Sequence, residues 1–84
     1  MQPAPARTVF DVMTDFLASD PAPEAILEYR LPAELEARAS QLLERKREDR
    51  LTFDEELEIY DFIRADDMMT LLKAKTRLKL SGKA

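Results

Sequence analysis

The 84-residue sequence contains no cysteine, no histidine, no tryptophan and one glycine. Without cysteine the chain cannot form a disulfide or a thiolate metal site. Without histidine it lacks the commonest transition-metal ligand and the usual acid–base group at neutral pH. A single glycine argues against phosphate loops and dinucleotide-binding turns, which need several. We therefore predict a protein that is not an enzyme, with no catalytic residue, no cofactor and no metal.

Long hydrophobic runs are absent as well. No segment approaches the roughly 20 apolar residues that cross a bilayer, and the N-terminus has no apolar run of signal-peptide length. The lack of cysteine is also consistent with a reducing compartment. We expect a cytoplasmic protein that does not bind membranes.

The residues that are abundant are Glu, Leu, Ala, Arg and Lys, which favour helices. Strand signals are missing, because there is no sustained apolar/polar alternation and no hairpin dipeptide. The length suits one domain. We predict an all-α protein, a small bundle of about four helices. Residues 1–7 are expected to be a flexible arm, residues 8–81 a single helical domain and residues 82–84 a tail.

Two capping patterns predict where helices begin. Thr8 is followed three residues later by Asp11, and Thr52 is followed three residues later by Glu55. This is the spacing at which a threonine hydroxyl and an acidic side chain cap a helix start reciprocally. The first helix should therefore begin after Thr8 and the fourth after Thr52, with the fourth ending at Ser81.

Prolines predict the limits of the helices between them. Asp20 can cap a short second helix with Pro21 in its first position. Pro32 should end that helix and open the third, which we predict over residues 33–49.

The third and fourth helices differ in predicted length. At about 1.5 Å per residue, residues 33–49 span roughly 25 Å and residues 53–80 roughly 42 Å. The short link between them makes the last two helices a long antiparallel hairpin, in which the third covers the fourth only to about Met69. Either the first two helices or a partner must cover the leucines beyond it, which are Leu71, Leu72, Leu78 and Leu80.

The fourth helix is apolar on more than one side. At about 100° per residue, one stripe shares a face and contains Phe53, Leu57, Tyr60, Met68, Leu71, Leu72 and Leu78. A second stripe contains Phe62, Met69 and Leu80. Such a helix either lies at the centre of the bundle or exposes an interface.

Charge changes sign along the fourth helix. Residues 53–67 contain seven acids and one base, whereas residues 70–84 contain five bases and no acid. This distribution complements the helix macrodipole, and it would also suit an anionic partner. The net charge of −4 argues against general nucleic-acid binding. No aromatic residue follows Phe62, so stacking of the basic segment on bases is not supported.

Three segments carry a resemblance to known proteins: AILEYRLP at 25–32, LLERKREDRLT at 42–52 and LLKAKTRLKL at 71–80. With them the chain resembles, over most of residues 9–80, a group of small all-helical bacterial proteins. These are often encoded beside HNH- or PIN-type nucleases in an antitoxin-like arrangement. The group has no established activity, so the resemblance assigns no site residue. The sequence shows neither a β-ribbon arm nor a helix-turn-helix, which argues against direct DNA binding.

The leading hypothesis is a non-catalytic protein-interaction module, antitoxin-like or an adaptor, that docks a partner through the apolar and basic C-terminal helix. The predicted partner-binding residues are Phe62, Met69, Leu72, Lys73, Lys75, Arg77, Leu78, Lys79 and Leu80. Two alternatives stay open. One is a nucleic-acid-binding accessory protein that uses the basic tail, and the other is a self-associating structural protein with the fourth helix at a dimer seam.

Overall fold

The computed structural model describes residues 8–82, which form four α-helices and no strand. The helices are α1 Val9–Ala18, α2 Pro23–Leu27, α3 Ala33–Arg47 and α4 Phe53–Leu80. The predicted all-α class is confirmed, with a long final helix. The predicted arm at 1–7 and residues 83–84 of the predicted tail lie outside the described residues.

Both predicted capping boxes form. The backbone N–H of Asp11 donates to the Thr8 hydroxyl at 3.1 Å, and the Thr8 N–H donates to the Asp11 carboxylate at 3.1 Å. At α4 the Glu55 N–H donates to the Thr52 hydroxyl at 3.1 Å, and the Thr52 N–H donates to the Glu55 carboxylate at 3.0 Å. A threonine cap of this kind contributes about 1 kcal/mol to helix stability.

The predicted start of α2 was wrong by two residues. Its N-cap is Ala22 and its first residue is Pro23, rather than Asp20 and Pro21. Asp20 has a φ of 58°, in the left-handed region, whereas an N-cap residue needs an extended backbone. Asp20 instead lies just past the end of α1, where a left-handed residue commonly terminates a helix.

Helix α3 ends in the same way, two residues before the predicted Asp49. Asp49 is left-handed, with a φ of 57°. Its N–H donates to the carbonyl of Lys46 at 3.0 Å, and the Arg50 N–H donates to the carbonyl of Arg45 at 2.9 Å. This is a Schellman motif, which satisfies the last carbonyls of the helix and turns the chain towards α4.

Helix α4 is the central helix of the bundle, because α1, α2 and α3 all pack against it. Ion pairs between α3 and α4 show that the two run antiparallel, since Arg38 contacts Glu58 and Arg45 contacts Glu55. The core draws on every helix except α2 and consists of Val9, Met13, Leu35, Leu42, Ile59, Phe62, Ala65 and Met69.

Helix α4 extends beyond the part that α3 covers, and the first two helices pack against some of this extension. The Lys73 ammonium donates to the backbone carbonyl of Tyr29 at 3.0 Å, which ties the segment after α2 to the second half of α4. Leu72 packs partly buried against the core, whereas Leu71, Leu78 and Leu80 remain about half exposed. The cover is therefore incomplete, and the remaining apolar surface is the candidate site.

Candidate protein-interaction surface on α4

One side of α4, the inner face, faces the other helices. It consists of residues at intervals of three, four or seven, all of them buried: Ile59, Phe62, Ala65, Met69 and Thr76. The Thr76 hydroxyl donates to the carbonyl of Leu72 at 2.8 Å, so its polar group is satisfied inside the helix.

The opposite side of α4, the outer face, points into solvent. It carries six large side chains, each at least half exposed: Phe53, Leu57, Tyr60, Met68, Leu71 and Leu78. By helical geometry this face lies roughly 150° around the helix from the inner face, and it runs for about 38 Å. Exposed apolar surface of this extent is typical of an interaction site.

The structure corrects the sequence interpretation of the two stripes. Phe62 and Met69 were expected at a partner-binding surface, but they lie in the protein's own core at 9% and 7% exposure. The first stripe, except Leu72, is the exposed one. The physical reason is charge: Arg64 interrupts the outer face, and burying it without a partner would cost free energy.

The remaining predicted partner-binding residues divide into two groups. Leu72 is half-buried against the core, and Lys73 is held by its bond to Tyr29. The rest are exposed at the C-terminal end of α4: Lys75, Arg77, Leu78, Lys79 and Leu80. Of the predicted residues, Leu78 belongs to the outer face, and Arg64 within the first stripe was a signal that this stripe faces solvent.

Ion pairs with α3 neutralise one flank of the acidic half of α4. Arg38 donates from Nε and Nη2 to the two oxygens of Glu58 at 2.7 and 2.8 Å, and Arg45 donates to Glu55 at 3.1 Å. The Thr52 N–H, followed by the charges of Arg45 and Arg38, lowers the pKa of Glu55 below its ordinary value. The bond to Glu58 likewise raises the pKa of Arg38.

The flanks on the two sides of the outer face are different, with Asp54 and Asp61 on one side and Glu56 on the other. Asp54, Glu56 and Asp61 are exposed, and none of them forms an ion pair with another residue in the described range 8–82. At the other end of α4, Lys75 and Arg77 are exposed in the same way. Between the two ends, the Arg64 guanidinium lies over the Tyr60 ring, 5.6 Å from its centroid. The outer face is therefore apolar along its centre, acidic beside its first half and basic beside its second.

A small cleft lies on the other side of the molecule, between α1, the segment after α2 and α4. Its volume is about 230 Å³, and Tyr29, Phe62 and Met69 help to line it. The Tyr29 ring packs on Phe16 with centroids 4.5 Å apart, and burial raises the pKa of its hydroxyl. The cleft is smaller than typical sites for drug-sized ligands. Several of the residues that line this cleft belong to the hydrophobic core.

Comparisons with protein families, curated proteins and solved structures found no match for this chain. Across residues 8–82, no helix has both the length and the apolar composition required to cross a bilayer.

Proposed function

We propose that this protein is a non-catalytic protein-interaction module that binds an amphipathic helix of a partner along the outer face of α4. The observation that carries the proposal is the line of six half-exposed apolar side chains on one side of α4. Removing such a surface from water is favourable in proportion to its apolar area.

The shape of the outer face favours a helix as the bound element. Leu57, Leu71 and Leu78 lie at intervals of seven or fourteen residues, and Phe53 and Tyr60 are also seven residues apart. A seven-residue repeat forms a narrow straight seam, which is the geometry that a second helix packs against. An adaptor and an antitoxin-like protein would both use such a seam to hold a partner.

The charges beside the outer face favour one orientation of the bound helix. Asp54 and Glu56 would attract bases near one end of it, and Lys75 and Arg77 would attract acids near the other. Such complementarity adds more to specificity and association rate than to affinity.

The proposal is tested with a variant of the outer face, Leu57→Asp/Leu71→Asp, and a matched control, Leu43→Asp. Leu43 is 46% exposed but lies on α3, away from the outer face. Tagged proteins are used to capture partners from cells, and each captured partner is then purified and titrated calorimetrically. We expect wild type and Leu43→Asp to bind the same proteins, including any second copy of this chain, and the outer-face variant to bind none. Unchanged binding by a correctly folded outer-face variant would refute the proposal.

A further inference from the structure

We infer that the helix that occupies the outer face is α4 of a second copy of this chain, running antiparallel to the first. This inference rests on the proposed function and names its partner. It follows from the order of charged and apolar residues along α4, because an antiparallel copy satisfies both at once.

The apolar residues match in one antiparallel register. Two sets of positions, each repeating every seven residues, form the seam: Leu57, Arg64, Leu71 and Leu78 make one, and Phe53, Tyr60, Asp67 and Ala74 make the other. In an antiparallel pair of helices, each residue of one set packs beside a residue of the other set on the facing helix. One register pairs Phe53 with Leu78 of the second copy, Leu57 with Ala74, Tyr60 with Leu71 and Arg64 with Asp67.

The charged residues within the seam select this register. At its centre, Arg64 of each chain faces Asp67 of the other, so the two-fold axis creates two identical ion pairs. The stacking of Arg64 on Tyr60 within one chain holds the guanidinium close to this seam. Polar residues inside a helical seam cost stability but specify alignment, since any shift leaves them unpaired.

The flanking charges select the same register. The antiparallel register described above places Asp54 opposite Lys75 of the second copy and Glu56 opposite Arg77 of the second copy. Each of these pairs again occurs twice. A parallel dimer would instead place Arg64 beside Arg64, Asp67 beside Asp67 and the acidic halves side by side. Like charges at such short range are repulsive, so the sequence of α4 opposes a parallel arrangement.

The α3–α4 hairpin uses the same arrangement within one chain. Bases of α3 face the acidic half of an antiparallel α4 through the Arg38–Glu58 and Arg45–Glu55 pairs. Those contacts occupy the acids on the inner side of α4 and leave Asp54 and Glu56 for the outer side. A domain of 84 residues is of a size at which oligomerisation often supplements a small core.

The first test measures mass in solution. Sedimentation equilibrium should show a dimer for wild type and for Leu43→Asp, and a monomer for Leu57→Asp/Leu71→Asp. A wild type that stays monomeric at millimolar concentration would overturn self-association. The proposed function would survive that result, because the capture experiment tests it with other proteins. A dimer that persists in the folded outer-face variant would also overturn the inference, since it would form elsewhere.

The second test reverses charges at exposed positions that take no part in the bundle. Glu56→Arg and Arg77→Glu should each raise the dimer dissociation constant about tenfold, because each turns two attractive pairs into repulsive ones. An equimolar mixture of the two variants should recover the wild-type constant, because both pairs become attractive again in the heterodimer. A mixture no tighter than either variant alone would contradict the register.

The third test measures orientation. The chain has no cysteine, so one cysteine introduced as Lys79→Cys carries a single spin label. In the antiparallel register, two such labels are about 40 Å apart along the helix axis, whereas in a parallel dimer they are roughly 10–15 Å apart. Pulsed electron–electron double resonance distinguishes these two distances. A short distance would overturn the antiparallel arrangement.

Discussion

The inner and outer faces of α4 are similar in composition but opposite in environment. Met68 and Met69 are adjacent in sequence, yet Met68 is 50% exposed and Met69 is 7% exposed. Phe62 is buried in the same helix in which Phe53 is 72% exposed. Apolar content alone therefore does not decide which side of a helix packs.

The two faces differ in what lies between their large side chains. Ala65 lies between Phe62 and Met69 on the inner face, so that neighbouring helices can pack there without burying a charge. Arg64 occupies the corresponding place on the outer face, where burial of its charge without a partner would cost free energy. A second charged helix can pair with Arg64, which a purely apolar segment cannot do.

The largest expected difference between the faces concerns the two adjacent methionines. Met69→Asp places a carboxylate in the core and should destabilise the fold by about 5 kcal/mol, which is close to the whole stability of a small domain. Met68→Asp should change the free energy of unfolding by about 0.5 kcal/mol or less. Both are measured by urea unfolding in the Leu57→Asp/Leu71→Asp background, which removes any contribution from dimerisation. Equal losses would mean that the assignment of the two faces is wrong.

A smaller difference in the free energy of unfolding is expected between alanine substitutions of the two phenylalanines, Phe62 and Phe53. Phe62→Ala leaves a cavity in the core and should cost about 3 kcal/mol, whereas the exposed Phe53→Ala should cost well under about 1 kcal/mol in the same background. Thermal unfolding followed by circular dichroism gives both values. A larger effect at Phe53 would show that this side chain is covered within one chain.

A smaller difference in stability is expected between alanine substitutions of two glutamates in the acidic half of α4, Glu58 and Glu56. Glu58→Ala removes the bidentate partner of Arg38 and should destabilise the fold by about 1 kcal/mol, because the pair is partly exposed to solvent. Glu56→Ala, on the outer flank, should leave the stability of the monomer unchanged within error. If Glu56→Ala were the more damaging, the charge pairing between α3 and α4 would need reassignment.

The smallest effect is a pH dependence at Glu55. Its pKa in the folded protein lies below the ordinary 4.5, so the folded state binds this proton less readily than the unfolded state. The resulting stability is present above the unfolded-state pKa and is lost as the pH falls through the folded-state pKa. Wild type should therefore lose more stability than Glu55→Gln on acidification below about pH 5. Urea midpoints for both proteins between pH 6 and pH 3 provide the measurement, and parallel curves would contradict it.

Local signals in the sequence predicted most of the secondary structure. The Thr8 and Thr52 boxes located the starts of α1 and α4, because a cap is made by residues three apart in the chain. The start of α2 and the end of α3 were misplaced by two residues. Asp20 and Asp49 adopt a left-handed backbone there, which the sequence does not distinguish from an ordinary cap or helical residue.

The order of residues in the chain specifies a helical protein, the start and end of its longest helix, and the two apolar stripes and the reversal of charge on that helix. All of these depend on neighbours within about four residues or on a simple repeat. Which of the two stripes is buried follows instead from the packing of the folded chain. That choice depends on how α1, α2 and α3 pack around α4, and on the Arg38, Arg45 and Lys73 contacts that hold them there. Because these contacts join residues 10 to 44 positions apart, no local pattern in the chain specifies them.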